Sequence, residues 1–415
     1  MEKISVAIIG GGAAGLFAAA SLYKSVGKGA GTVVLFERGE RVGRKLSATG
    51  NGQGNVSNTN VGETRYFSVQ KSESGQKTLK SALENYGVKA MMDFFEKLGV
   101  MLQTDARGRI YPFSKQASSL TDALRFFIEK QGVQTKLGSF VKSLEKCGDE
   151  FLITCDTADG EAWYLAENVV LCTGGKAAKN FGTDGAGYSL AKKFGHTLTA
   201  TYPSLVQLKC DTKYIKTLKG IRAADVFVTA CVDGVPVKEL VGDVIFTDYG
   251  VSGDAIFRLS AFLTAHTDKK ITLYIDFLSK VGEERLLAFV TAKKRDLAPK
   301  EGELFCGLLN NQIARAVEKR YAGRSLKELV AAVKNFPIDV TGNLGYDYAQ
   351  VTKGGVPLDE TDGQFQSKKV PSLYFAGEIL DVDGECGGFN LHFAFASAKT
   401  VAAAIEKKYK TRGQV

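Results

Sequence analysis

The run Gly10-Gly-Gly-Ala-Ala-Gly15 constrains this chain more than any other stretch. Before it stands Ile4-Ser-Val-Ala-Ile-Ile9, apolar and rich in β-branched residues; after it stands Leu16-Phe-Ala-Ala-Ala-Ser-Leu-Tyr23, built from good helix formers. A second apolar run, Val33 to Phe36, ends at Glu37, 22 residues after Gly15. Strand, glycine turn, helix, strand and acid in that order make the G-x-G-x-x-G arrangement of a dinucleotide-binding unit. Gly10 permits the tight turn, Gly12 lets the backbone approach a pyrophosphate, and Gly15 lets the helix pack close to the strand. The helix N-terminus offers free N–H groups and partial positive charge to phosphates. Glu37 can accept hydrogen bonds from ribose hydroxyls.

A lone glycine turn would account for the motif but not for its flanks. Ile4 to Tyr23 carries no charge, and a membrane span needs about 20 such residues. Four glycines within six residues and a strand-like start argue against a span. Lys3 is offset by Glu2, a poor leader for export. The seven cysteines are scattered, none in C-x-x-C, and no Cys/His cluster has zinc spacing. Reduced thiols in a cytoplasm, and no metal, are therefore expected. The net charge is +9, with basic residues interleaved among acids and no block of five or six. A solvated surface with some phosphate contacts is the expectation, with no nucleic-acid partner and no membrane.

Arg38 to Asn55 mixes Arg and Lys with glycines and small polar residues, and reads as a long ordered loop that covers a cofactor. The spacing of Leu79, Leu83, Tyr86, Met91, Phe94, Phe95 and Leu98 predicts an amphipathic helix broken near Gly87. Arg109 to Pro112 is a short extended piece and Ser118 to Gln131 another helix. Short strands are expected at 133–137, 140–144, 151–155, 163–165 and, buried, 168–173, the last ending at Gly174-Gly175. From Tyr202 to about Val340 the opening pattern is lost; strand-like runs at 205–208, 225–232 and 244–246 precede helices at 254–265, 283–293, 304–321 and 325–334. A strand (371–376), a glycine and acid loop (377–390) and an alanine-rich helix (391–407) then close the chain. The fold class is α/β, with a nucleotide-binding domain expected over 1–198 and 341–415 and an inserted domain over 199–340.

Six separated blocks resemble the BaiN-like FAD-binding flavoprotein family, also called the aminoacetone oxidase family. They are Gly10 to Leu16; Arg41 to Leu46 with Gly50-Asn51-Gly52; Thr173-Gly-Gly175; Phe246-Thr247 with Gly250 to Gly253; Thr352 to Val356; and Phe375 to Gly384 with Gly387 to Asn390. The resemblance runs from end to end. It implies a glutathione-reductase-like, Rossmann-type FAD domain, discontinuous and interrupted by a β-barrel-like domain with a helical insert. By motif, Gly10, Gly12, Ala13, Ala14 and Gly15 would hold the pyrophosphate and Glu37 the adenosine ribose. Arg38, Arg44, Lys45, Leu46 and Asn51 would lie along the cofactor, and Val141 would meet adenine through its backbone. Thr173, Gly174 and Gly175 would border it. Gly377, Glu378, Gly387, Gly388, Phe389 and Asn390 would sit near the ribityl chain and flavin ring.

The chain departs from the family in three places: Gln53-Gly54 where Arg-Cys is usual, Asp248 where His is common, and Cys386 where Thr is common. Cys386 and Asp248 are the two catalytic candidates, expected on either side of a substrate pocket walled by the inserted domain. The bland reading of Cys386, an inert small residue in a tight loop, is favoured. His196, His266 and His392 are isolated in sequence and read as structural. In such enzymes the flavin carries the redox step. The resemblance implies an FAD-dependent oxidoreductase acting on a small or steroid-like molecule, with C=C reduction and NAD(P)H as a transient electron donor. Two alternatives stay open: a flavoenzyme that modifies tRNA, and a non-catalytic flavin-binding redox sensor. The oligomeric state is not readable.

Overall fold

The computed structural model describes residues 1–26 and 32–412. By contacts the chain divides into two compact units: Met1–Tyr202 with Val351–Val415, and Pro203–Gln350. The sequence placed these divisions at 198/199 and 340/341.

In the first unit, the opening apolar run is the strand Glu2–Ile9, and the helix after the glycine turn is Ala13–Val26. The strand lies at the centre of a sheet because it is buried along both faces from Ile4 onward. On one side it pairs in parallel with Val33–Phe36, which pairs with Gln134–Lys136. On the other it pairs in parallel with the long strand Gly160–Leu171. That strand is shared: its first half pairs antiparallel with Glu150–Thr157, and its last residues pair in parallel with Leu373–Phe375. Both ends of the chain thus enter one sheet. Phe17, on the glycine-motif helix, is fully buried against Phe94 and Phe395, with ring centroids at 4.4 and 4.8 Å. Burying one such ring stabilises by about 1.5–3 kcal/mol. The amphipathic stretch ends as a helix at Asn85 and restarts at Val88, across Gly87.

The second unit contains a closed barrel of six strands: Leu208–Cys210, Gly250–Ser252, Val235–Phe246, Arg222–Val232, Ile271–Asp276 and Phe336–Asn343. Helices Asp254–Leu263, Glu283–Leu297, Asn311–Arg320 and Leu326–Lys334 complete it. The α/β class with a Rossmann-type sheet and a barrel is as expected.

Several boundaries differ from expectation. The strands at 163–165 and 168–173 are one strand, Gly160–Leu171. The fully buried Asn168, expected as the first residue of the second strand, lies inside the single one, where it donates to Ser5 O (3.1 Å) and the Tyr409 hydroxyl (3.0 Å) and accepts from Lys408 (2.9 Å). A satisfied buried amide does not interrupt a strand. The helix expected from 304 begins at Asn311, where Asn310 caps the N–H of Gln312. The loop after Glu37 contains a short helix, Arg44–Ala48, whose Leu46 is buried. The last helix starts at Phe389, so Phe389 and Asn390 are helical rather than loop.

Candidate functional site

The glycine motif is built as the spacing demands. Gly10 has φ +104°, and a Cβ on it would lie 2.5 Å from Cys172 O. A Cβ on Gly15 would lie 1.9 Å from Gly10 O. Gly12 is different: its φ is not in the left-handed region, and no atom beyond its two chain neighbours lies within 4 Å of where its Cβ would stand. Two glycines are required by the protein's own packing, and the third faces open space at the start of the helix.

Four other sequence blocks converge on this turn. Just past the strand Gly160–Leu171, Cys172 N–H donates to Ile9 O (2.8 Å), which brings Thr173-Gly174-Gly175 beside Gly10. Thr173 Oγ1 is buried and has no hydrogen-bond partner among the described residues. Gly43 N–H donates to Gly11 O (2.7 Å), so the loop after Glu37 returns to the motif. A Cβ on Gly377 would meet the Ala14 Cβ at 2.8 Å. Glu37 accepts from the N–H of Gly11 (2.9 Å) at one carboxylate oxygen and of Gly39 (2.7 Å) at the other. Each oxygen keeps a lone pair for a further donor.

Two charged clasps hold these blocks in register. Lys45 Nζ bonds Glu378 Oε2 at 2.7 Å, and Glu378 Oε1 accepts from Thr352 N–H at 2.9 Å. Thr352 Oγ1 in turn accepts from the N–H groups of Lys176 (2.7 Å) and Ala177 (2.9 Å). Arg38 bonds Asp184 (2.8 Å) and Gly182 O, while Arg44 donates to Asn180 O at 2.8 Å. Burial pushes the Asp184 carboxyl up, but Arg38 and the Ala186 N–H outweigh it and hold it below the usual range.

The loop from Gly377 to Asn390 is fixed from within and from behind. Asn390 clips it, accepting from Gly384 N–H (2.8 Å) and donating to Gly384 O (2.9 Å). Tyr66 donates to Phe389 O (3.0 Å). Gly388 has φ +99°, and a Cβ there would lie 2.3 Å from Ser57 O. Lys353 Nζ and Asp383 Oδ1 form a buried pair at 2.9 Å, with side chains 10% and 0% exposed. Buried Asp381 accepts from the N–H groups of Val69 (2.9 Å) and Gln70 (2.8 Å); burial nevertheless pushes its carboxyl up. His392 is buried, with Nδ1 2.8 Å from Ser57 Oγ and Nε2 3.1 Å from Tyr86 O. The carbonyl can only accept, so Nε2 carries the proton. Burial pushes the His392 pKa down to about 4. It is a neutral structural residue, as is buried His196, held between Glu360 and Ser367 at 2.7 Å each.

Val141 is buried in the strand Phe140–Cys147, and Asn51 is exposed with φ +54°. The two catalytic candidates fall in different units. Asp248 is in the second, 64% exposed and paired with Lys219 at 2.8 Å. Cys386 is in the first, half-buried beside Gly387. Sequence reading named Thr352, Lys353 and Asp383 only within family blocks and missed Asn180 and Asp184. A buried lysine beside a glycine pair was the one local signal available for Lys353.

A family model described as the HI0933-like protein Rossmann domain matches residues 4–404. The chain belongs to this family. It is an FAD-dependent oxidoreductase, as the six blocks implied. The chain is 31% identical to a 3-dehydro-bile acid delta(4,6)-reductase from Clostridium scindens, over 97% of this chain and 99% of that one. It is 27% identical to a ribosomal RNA dihydrouridine synthase from Haemophilus influenzae, over 97% and 98%. Among solved structures it resembles a 3-ketosteroid-delta4-(5alpha)-dehydrogenase from Rhodococcus jostii RHA1, with a TM-score of 0.55 at 16% identity, covering 98% and 97%. That likeness speaks to the fold alone. No described helix is long and apolar enough to cross a membrane.

Proposed function

We propose that this chain uses FAD to reduce a C=C bond conjugated to a carbonyl in a small, steroid-like molecule, with NAD(P)H as transient electron donor. FAD, when bound, supplies two-electron chemistry that no side chain provides. The rest is done by the chain. Gly12 and the helix N–H groups at Ala13 and Ala14 receive the pyrophosphate, and Glu37 accepts from the adenosine ribose. Val141 borders the adenine; Arg38, Arg44 and Asn51 line the route between. The Lys45–Glu378–Thr352 clasp, with Gly377, sets the wall along the ribityl chain. Gly387 to Asn390 present backbone to the ring. The fit rests on the open space before Gly12 and the unpartnered Thr173 hydroxyl, both of which a dinucleotide would use.

The reaction class rests on what the two relatives share. A delta(4,6)-reductase and a dihydrouridine synthase both saturate a C=C bond conjugated to a carbonyl. Substrate plus NAD(P)H plus one proton gives saturated product plus NAD(P)⁺. The higher identity and near-complete coverage of the bile-acid reductase favour the small-molecule substrate. The second relative and the net charge of +9 support a second reading, in which the acceptor is a uracil ring in structured RNA. The seven cysteines are all free, which fits a reducing compartment such as the cytoplasm.

Anaerobic mixing of reduced holoprotein with 4-androstene-3,17-dione, and separately with a uridine-containing RNA, tests this. Reoxidation by the steroid supports the first reading and reoxidation by the RNA alone supports the second. Reoxidation by neither, with FAD bound, refutes the reaction class.

A further inference from the structure

The face that lies against the Cys386–Gly387 turn belongs to a small three-stranded sheet, Ser57–Asn58, Arg109–Pro112 and Leu102–Thr104. Register places Asn58 opposite Arg109 and Gln103 opposite Tyr111. Along the central strand Ile110 and Pro112 are buried, whereas Arg109 and Tyr111 are half-exposed on the other face. Asn58 Nδ2 donates to Gly387 O at 3.0 Å, which locks the turn onto this face. A Cβ on Gly387 would stand 3.9 Å from Arg109 Cγ. Tyr111 lies two residues along the strand from Arg109, on the same half-exposed face.

We propose that Tyr111, supported by Arg109, donates the hydrogen bond that holds the substrate's conjugated carbonyl oxygen. The proposal rests on the C=C-reductase reading and adds a residue to it. Three observations carry it. The Tyr111 hydroxyl makes no hydrogen bond among the described residues, although the neighbouring polar groups do. The ring is held in place: the Arg109 guanidinium lies 5.8 Å from its centroid and is itself tied to Asp105 through Nε at 2.7 Å. Asp105 also accepts from the N–H groups of Arg107 and Arg109 at 2.9 Å each, so the hairpin that carries Tyr111 is rigid. Finally, the face adjoins the turn entering the C-terminal helix, where the flavin ring is proposed to lie.

The chemistry follows from charge. When hydride reaches the carbon β to the carbonyl, negative charge builds on the carbonyl oxygen. A donor aimed at that oxygen is worth more in the transition state than in the bound substrate. Burial pushes the Tyr111 phenol up, against the pull of Arg109, so it holds its proton and can donate. Arg109, its charge paired with Asp105, acts by holding the ring rather than by adding net charge. The same donor would serve an enone or the carbonyl of a uracil, since both present an sp² oxygen conjugated to the bond being reduced.

The test is Tyr111→Phe, which removes one oxygen from a half-exposed ring and leaves the packing in place. FAD content and spectrum should match the parent protein. Titration of oxidised holoprotein with 4-androstene-3,17-dione, followed by the flavin difference spectrum, should show binding weakened by about 5-fold. Reoxidation of the dithionite-reduced holoprotein by that steroid should slow by about 100-fold, with reoxidation by oxygen unchanged. Repeating the mixing with a uridine-containing RNA distinguishes the two carbonyl sources. Equal rates in parent and variant, with an acceptor that does reoxidise the parent, would overturn the role of Tyr111 and leave the reductase reading standing. If neither acceptor reoxidises the parent, the reductase reading falls and takes this assignment with it.

Discussion

Gly12→Val separates a glycine kept for a ligand from one kept for packing. At position 12 the backbone needs no left-handed φ, and no atom beyond the two chain neighbours lies within 4 Å of an added Cβ. The variant without cofactor should therefore fold with stability within about 0.5–1 kcal/mol of the parent. Loading is another matter, since the new side chain occupies the space before the helix N-terminus. FAD at about a hundred times its Kd stabilises a native state by about 2.7 kcal/mol, which corresponds to about 5 °C in Tm for a unit the size of Met1–Tyr202 with Val351–Val415. The parent should gain that shift when apoprotein is heated with excess FAD, and Gly12→Val should gain less than about 1 °C. The apo melting temperatures should coincide. A variant that binds FAD with the full shift would show that the open space is not the pyrophosphate site. A variant that melts far lower without FAD would show that Gly12 serves the fold.

Gly15→Ala should behave in the opposite way, destabilising the apoprotein by about 1–3 kcal/mol or more, because its Cβ would stand 1.9 Å from Gly10 O; chemical denaturation of the apo form measures it. Asp383→Asn should cost about 3–5 kcal/mol by leaving Lys353 buried without its counter-charge, and Lys353→Met together with Asp383→Leu should recover much of that loss. His392 is depressed to about 4 against about 6.5 unfolded. The unfolded chain therefore binds more protons between those values, so the His392 contribution is complete above pH 6.5 and is lost as pH falls toward 4. It amounts to about 3 kcal/mol, and the stability difference between parent and His392→Gln should shrink by about that much over this interval. Any RNA binding that serves charge alone should be sequence-blind and fall steeply between 50 and 200 mM salt; retention of a specific RNA at the higher salt would favour the uracil substrate.

What the sequence determined by itself is local. Alternating and continuous apolar runs set the strands Glu2–Ile9 and Val33–Phe36, and a turn that only glycine can take joins the first to its helix. The separation of two such patterns by an unlike stretch also announced that both chain ends share a sheet, as Leu373–Phe375 beside Gly160–Leu171 shows. The two short strands expected at 163–165 and 168–173 proved to be one, whose polar Asn168 is satisfied by partners from the first strand and the last helix. The site itself lay beyond local reading. Lys45 meets Glu378 across 333 residues, and Asn58 meets Gly387 across 329. Nothing near either partner in the chain marks the other, because such pairs form only after strands and helices have packed. The same is true of Tyr111, whose short strand gave no hint that its sheet lies against the Cys386–Gly387 turn, and of Gly12, whose open surroundings exist only once Gly10 and Gly15 have drawn the strand and helix together. Backbone preference chose the glycines; tertiary packing decided which of them was left facing open space.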